Sequence, residues 1–303
     1  MTAGGPVVAV VGPTAAGKSA LGLALARELD GEVVNADSMQ LYRGMDIGTA
    51  KLTVDEREGV PHHLLDCWDV TRTASVAEYQ ADARAVVDRL LAAGRTPILV
   101  GGSGLYVRAV LEELEFPGTD PGVRARLEAE LAERGPAALH ADLARVDPAA
   151  AAAILPANGR RVVRALEVVE ITGRPFTARL PEPRPRYEAV QLGLDLDAAV
   201  LDERLALRVD HMWERGLVDE VRGLESLGLR DGRTAGRALG YAQVLRLLDG
   251  ELTGDEAVRQ TVQATRRFVR RQRSWFGRDP GVRWLDAAAP DLVDRALGVA
   301  RAR

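Results

Sequence analysis

The run Gly12-Pro13-Thr14-Ala15-Ala16-Gly17-Lys18-Ser19 constrains this chain more than any other feature. It spells glycine, four residues, then Gly-Lys-Ser, and its flanks are those that such a loop requires. Val7-Val8-Ala9-Val10-Val11 before it is an unbroken apolar run, as a strand buried on both faces needs. After it, Ser19 to Leu29 carries Leu21, Leu23, Leu25 and Leu29 among alanines and reads as a helix packed on most sides. Strand, glycine loop and helix in that order predict an anion site. Gly12 and Gly17 let the loop wrap with its N–H groups turned inward. The helix adds its positive dipole end, Lys18 a full charge, and Ser19 a hydroxyl for a magnesium ion. A phosphate or pyrophosphate is expected here, and the loop does not say which molecule carries it.

The rest of the chain alternates in a way that extends this first unit. Glu32-Val33-Val34-Asn35, a short piece from Pro61 to Asp66, and Pro97-Ile98-Leu99-Val100 read as strands. Ser75 with Glu78 one turn later predicts a capping box that opens a helix to about Ala93. Another helix is expected from Leu105. Strand alternating with helix predicts an α/β fold with a doubly wound parallel sheet. From about Pro117 the strand pattern stops. Asp120-Pro121 and Asp147-Pro148 start helices, Gly135-Pro136 breaks one, and Arg160 to Ile171 is amphipathic. Residues 117–187, closing on the proline-rich piece from Pro181 to Pro185, therefore read as a helical insertion. The core is then 1–116 with 188–303, in which a strand over 189–194 is followed by helices at about 198–215, 217–227, 240–248 and 255–276. A last strand is expected at Val282 to Asp286.

Composition narrows the setting. At 303 residues and 47% hydrophobic, the chain can bury a large core. No run reaches the roughly 18 apolar residues of a membrane span, and the N-terminus carries no basic-then-apolar signal, so a cytoplasmic protein without membrane contact is expected. The one cysteine, Cys67, excludes an intramolecular disulfide and any cysteine-based zinc site. With 40 basic against 44 acidic residues the net charge of −4 argues mildly against nucleic acid, but the distribution matters more than the sum.

Several residues could carry chemistry. Asp37 lies just past the second strand, on the side where open parallel sheets bind ligands, so it could act as a general base or hold magnesium through water. The strand at 97–100 ends in Gly101-Gly102-Ser103-Gly104, where a motor ATPase or GTPase would carry an acidic metal ligand. Ser103 could hydrogen-bond a substrate or leaving-group oxygen. Arg237 precedes a helix and could reach a pyrophosphate. His62 and His63 are adjacent, point to opposite faces of a strand, and complete no metal site. The one dense basic stretch runs from Thr265 to Phe276. On a helix Arg266, Arg270 and Arg273 share a face, with Phe268, Trp275 and Phe276 interleaved, a pattern that can grip phosphates and stack on unpaired bases. Arg160, Arg161 and Arg164 form a second basic face in the insertion.

Taken in order, these segments resemble the tRNA dimethylallyltransferases, also called tRNA isopentenyltransferases. The resemblance runs through Gly12 to Ser19, then Ala-Asp-Ser-Met-Gln-Leu-Tyr-Arg-Gly-Met-Asp-Ile-Gly-Thr-Ala-Lys from Ala36 to Lys51, then Val-Gly-Gly-Ser-Gly-Leu-Tyr from Val100 to Tyr106. It continues in Arg160 to Glu167, Leu239-Gly240-Tyr241 and Arg270 to Phe276, and so covers nearly the whole chain. Asp37 to Lys51 is its most specific part, because generic phosphate-loop enzymes lack it. The family implies a P-loop NTPase-like fold, with the loop holding the diphosphate of dimethylallyl diphosphate and Mg2+ beside Ser19. It implies transfer of the dimethylallyl group to N6 of the adenosine 3′ to the anticodon, in tRNAs reading codons that begin with U. By resemblance Asp37 is the base on N6, Ser103 sits by the bridging oxygen, and Arg237 joins Lys18 on the diphosphate. Contacts to the tRNA anticodon stem-loop are implied for Asp37, Ser38, Met39, Gln40 and Ser103 in the core. The same is implied for Arg124, Arg160, Arg161 and Arg164 in the insertion and for Arg266, Arg270 and Arg273 near the C-terminus, in a protein expected to be a monomer. Ser103 stands where many members carry threonine, and Ala242 where many carry arginine or lysine.

Two other readings compete. A small-molecule kinase could use the same loop for ATP, with Asp37 as base on a hydroxyl, but it has no need of the basic aromatic segment at 265–276. An RNA-binding protein with a nucleotide-gated grip leaves the placement of Asp37 and Ser103 without a purpose.

Overall fold

Strands β1 (Val7–Val11), β2 (Gly31–Asn35), β3 (His62–His63), β4 (Thr96–Val100), β5 (Ala189–Asp195) and β6 (Val282–Asp286) form one sheet in the computed structural model, which describes residues 5–176 and 184–302. The strand order is β3-β2-β4-β1-β5-β6 and every pairing is parallel. β1 is central and wholly buried. Val7, Ala9 and Val11 face one core cluster while Val8 and Val10 face the other, which is why its sequence is apolar without alternation. Helices α1 (Lys18–Glu28) and α11 (Leu292–Arg301) cover one face, Leu21, Leu25 and Leu297 joining the cluster of Val8 and Val10. The other face is covered by α2 (Val76–Ala92), α3 (Gly104–Leu111), α8 (Leu217–Glu225) and α9 (Tyr241–Leu248). This is the doubly wound α/β sheet that the alternation predicts. Because β4 lies between β1 and β2, the loops after all three strands open at the same end of the sheet.

Local signals account for the helix ends, with one exchange. Ser75 accepts a hydrogen bond from Glu78 N–H as expected, but the Glu78 carboxylate turns to Arg72 instead of closing the box. The full capping box opens α10 (Gly254–Phe276), where Thr253 and Glu256 satisfy each other's backbone N–H groups. Helix α7 (Ala198–Glu214) is capped by Asp197, which accepts from Ala199 and Val200.

The described residues fall into two compact units, and the smaller runs from Glu113 to Arg184, starting and ending slightly before the expected 117–187. Of the proline-rich closing piece, Pro181 to Pro183 lie outside the described residues. The smaller unit holds α4 (Pro121–Val146), α5 (Pro148–Ala153) and α6 (Gly159–Thr172). α4 bends at Gly135, whose φ of 78° and following proline interrupt the helical ladder. Leu127, Leu139, Leu143, Ile154, Val162 and Val163 make its core. Inside it Glu167 is fully buried and takes ion pairs from Arg124 and Arg164. Burial pushes the Glu167 carboxyl up, but the two arginines outweigh it and hold it below the usual carboxylate range.

Glu167→Ala is expected to destabilise this unit by about 3 kcal/mol, because two arginines lose their partner inside a closed core. Faster amide exchange at Val162 and Val168 reads that loss. The contribution is present above the ordinary glutamate value of about 4.5 and disappears as pH falls through the lower folded value.

Candidate active site

The phosphate loop is held open by glycine and tied down by an amide. Gly12 has φ of 131°, and a Cβ there would lie 2.6 Å from the carbonyl oxygen of Leu194 on the neighbouring strand. Gly17, at φ 94°, turns the chain into α1 with no side-chain cap. Thr14 N–H donates to Oε1 of Gln272 on α10 at 2.9 Å, so this one N–H is not aimed at an anion as the loop pattern suggests. Among the described residues, the N–H groups from Ala15 to Ser19 have no acceptor. Lys18 Nζ rests on the Pro13 carbonyl at 2.7 Å. Burial lowers the Lys18 ammonium to a pKa of about 8, with the Asp37 carboxylate opposing that shift and Arg208 reinforcing it.

Asp37 is placed by the residue before the turn. Asn35, buried at the end of β2, accepts from Asp37 N–H at 2.9 Å and donates to the carbonyls of Asp37 and Leu64. One carboxylate oxygen of Asp37 then accepts Met39 N–H at 2.9 Å, which fixes the rotamer and leaves the other oxygen unengaged. Ser103 faces it across the sheet end, its Oγ accepting Ser38 N–H at 3.3 Å. The glycines around Ser103 allow close packing. A Cβ on Gly101 would lie 2.2 Å from the Ala36 carbonyl oxygen, on Gly102 2.2 Å from Gln272 Nε2, and on Gly104 2.0 Å from Trp275 Nε1.

Those last two contacts redefine the basic aromatic segment. α10 turns a buried face to the sheet end, with Val269, Gln272 and Phe276 inside and Trp275 packed on Gly104. Phe276 is therefore a core residue, and Trp275 packs half-buried against Gly104. Arg273 is committed to the Asp195 carboxylate and the Leu196 carbonyl, and Arg266 pairs with Asp202 at 3.3 Å. Of the three arginines expected on one face, Arg270 alone is exposed and has no ion pair among the described residues. In the smaller unit, Arg124 and Arg164 are likewise committed to Glu167, while Arg160 and Arg161 are exposed at the start of α6.

A cavity of about 330 Å3 gathers the rest. Asp37, Ser103, Thr14 and Arg237 line it together with Ser38 and Met39, and apolar wall comes from Leu205, Val209, Met212 and Phe268. Arg208 on α7 also lines it, a residue that no sequence motif marks. Burial depresses its guanidinium and Asp37 counteracts that, which places Arg208, Lys18 and Asp37 in one electrostatic neighbourhood. Two desolvated cations against one carboxylate leave an excess of positive charge that an anionic ligand would neutralise. Arg271 reaches the same cavity, its guanidinium 5.6 Å from the Phe268 ring.

The loop bearing Ile47, Gly48 and Thr49 is clamped from behind. Glu220 of α8 accepts from the N–H groups of Asp46, Ile47 and Gly48 at 3.2, 2.7 and 3.3 Å, and from Tyr241 Oη at 2.5 Å. Gly48 must be glycine here, since a Cβ would lie 2.4 Å from the Tyr241 ring. Buried Lys51 donates to Tyr42 O, Asp46 Oδ1 and Asp66 Oδ1. Gln40 donates to Thr49 O at 3.1 Å and does not line that cavity. Met45 to Lys51 is thus a scaffold that presents Asp37 to Met39.

An anion loop, a fixed carboxylate and desolvated cations around an apolar-walled cavity define a phosphate-loop α/β group-transfer enzyme. The chain belongs to the IPP transferase family, whose profile matches residues 40–279. It is 72% identical over 300 residues to a tRNA dimethylallyltransferase of Salinispora arenicola, covering 99% of this chain and 88% of that protein. Among solved structures it is similar to the full-length tRNA isopentenylpyrophosphate transferase of Bacillus halodurans, at 42% identity and a TM-score of 0.72, covering 97% of this chain and 94% of that one. A eukaryotic dimethylallyltransferase captured acting on tRNA superposes with a TM-score of 0.81 at 26% identity, covering 97% of this chain and 77% of that one.

A diphosphate held at Lys18 would bind in a pH-dependent way, because the pKa of the Lys18 ammonium is lowered to about 8. Affinity for an alkyl diphosphate, followed by calorimetry, is expected to be level below about pH 8 and to fall above it by up to about tenfold per unit. Lys18→Arg, which keeps its charge, should remove that fall. Separately, Glu220→Ala leaves backbone donors and the Tyr241 hydroxyl without an acceptor. A loss of about 2–3 kcal/mol in urea denaturation is expected, and an unchanged midpoint would contradict the clamp.

Proposed function

We propose that this protein transfers a dimethylallyl group from dimethylallyl diphosphate to N6 of the adenosine immediately 3′ to the anticodon, in tRNAs reading codons that begin with U. The observation that carries the reading is the meeting, in one apolar-walled cavity, of Asp37 with the phosphate-loop residue Thr14 and the cations Arg208 and Arg237. An allylic diphosphate has that same division, an apolar five-carbon chain on a polyanion.

The adenine amino group is a poor nucleophile because its lone pair is delocalised into the ring. The unengaged oxygen of Asp37 accepts the N6 proton as the bond from N6 to C1 of the dimethylallyl group forms. The bond from C1 to the bridging oxygen breaks, and diphosphate leaves with the electron pair. Lys18, Arg208, Arg237 and the loop N–H groups stabilise that developing charge, and Ser103 hydrogen-bonds near the bridging oxygen. The pocket wall excludes water, which would otherwise compete for the allylic carbon.

No group of His, Cys, Asp or Glu side chains among the described residues could hold a metal by itself. Mg2+ held by substrate phosphates, water and one hydroxyl needs no such group, and Ser19 at the first turn of α1 fits that part. Bound there, the ion would neutralise diphosphate charge. The target base leaves its stack to enter the cavity, at a cost of a few kcal/mol. Exposed Arg160, Arg161 and Arg270 are the arginines we assign to RNA phosphates; Arg124, Arg164, Arg266 and Arg273 act by holding local structure. One chain is a complete catalytic unit.

Incubation with Mg2+, labelled dimethylallyl diphosphate and an anticodon stem-loop tests the reading. Label should enter the RNA, fall at least about 10²-fold with Asp37→Asn, and vanish when the adenosine is replaced by guanosine or when EDTA is added. ATP turnover stimulated by a small metabolite, with no label in RNA, would instead establish the kinase.

A further inference from the structure

A second cavity, also of about 330 Å3, adjoins the first and shares Arg208 and Met212 with it. Its basic side chains stand in a row. Arg204, Arg208, His211 and Arg215 follow at i, i+4, i+7 and i+11 along α7 and its C-cap, the spacing that keeps side chains on one helix face. Arg204, His211 and Arg215 are exposed, and none has a side-chain hydrogen bond or ion pair among the described residues. No carboxylate lines the cavity. Arg215 acts electrostatically on Glu56, whose carboxylate accepts Thr53 N–H at 2.8 Å. Beside the basic side chains on α7 stand Leu207, 54% exposed, and Met212, and the 45–51 loop adds Ile47 and Ala50 to the apolar lining.

Apart from Arg208, which donates to the Thr49 carbonyl at 3.4 Å, the row is not tied into the fold by any hydrogen bond or ion pair among the described residues. Arginines that serve folding here are tied to carboxylates or carbonyls, as Arg124, Arg164 and Arg273 are. Like charges one helical turn apart repel, so the free protein holds this row at an energetic cost. The groove also combines cationic and apolar walls on the scale of a small ligand, whereas a track for RNA phosphates needs only cations. Its inner end is Arg208, already in the catalytic cavity.

We propose that this groove is a second binding site for the allylic diphosphate, a holding site from which the substrate reaches the phosphate loop. The diphosphate lies on Arg204, His211 and Arg215 and the five-carbon chain on Leu207 and Met212. Arg208, present in both cavities, takes over the diphosphate as it moves inward toward Lys18. The inference rests on dimethylallyl diphosphate being the substrate and adds where that substrate is first held.

The test uses the full chain and the doubly substituted Arg204→Gln/Arg215→Gln variant. Without RNA the diphosphate has no acceptor, so its equilibrium binding can be titrated directly. The wild type should bind dimethylallyl diphosphate at two sites, and the variant should lose the weaker one. In steady state the variant's KM for dimethylallyl diphosphate should rise about 5- to 10-fold, with kcat and the KM for the stem-loop within about twofold of wild type; a simple structural defect would move all of these together. One site in both proteins with an unchanged KM overturns the proposal. So does a raised KM for the stem-loop alone, which would make the groove an RNA contact. If the wild type transfers no label to RNA the reaction reading fails, and the two-site titration still decides the groove.

Discussion

The Gln272 side chain is the joint on which this site depends. Its amide oxygen accepts the N–H of Thr14 after β1 and its nitrogen donates to the carbonyl of Gly102 after β4, both at 2.9 Å. A buried amide that meets both demands is worth keeping, because either half left unpaired would cost about 1–3 kcal/mol. Its consequence is geometric. α10 is drawn so close to the sheet end that neither Gly102 nor Gly104 has room for a Cβ. The loop that carries the anion donors and the turn that carries Ser103 are thereby fixed to one another by a helix distant in sequence.

Charge is then arranged on that frame with little waste. Asp37 is aimed by Asn35 and by its own turn, so its direction does not depend on the ligand. Lys18 and Arg208 are both desolvated beside it, and each is less readily charged than it would be in water. The same desolvation strengthens any bond they make to a diphosphate, since charge in a dry site is screened less. Glu220 and Lys51 do comparable work on the loop between them, one gathering N–H groups and the other gathering oxygens. They are positioning residues that reach the chemistry only through what they hold.

How much could be read beforehand differs from residue to residue. The apolar run at Val7 to Val11 and the glycines of the loop dictate their own local structure, so β1, the loop and α1 were legible. Asp120 and Asp147 are short-range caps and marked their helices equally well. The arginines were not legible in the same way. Arg266, Arg270 and Arg273 look alike as a pattern, yet Arg273 finds Asp195 from β5 and Arg266 finds Asp202 from α7. Nothing in the sequence near α10 announces either partner. Arg208 was missed for the converse reason: its neighbours in sequence are ordinary helix residues, and its neighbours in space are Asp37 and Lys18.

The sequence by itself determined the class of sheet, the glycine loop and the helical insertion. Each follows from forces that act within a few residues: backbone conformation at glycine, apolar periodicity and helix capping. Tertiary structure alone decided which cations stay available for a ligand, why Gly102 and Gly104 are glycines, and that Met45 to Lys51 is held from behind by Glu220 and by the Lys51 side chain. Those outcomes depend on desolvation and on partners brought from distant segments, as with Glu220 and the loop it holds. Such pairings exist only once the chain has closed on itself.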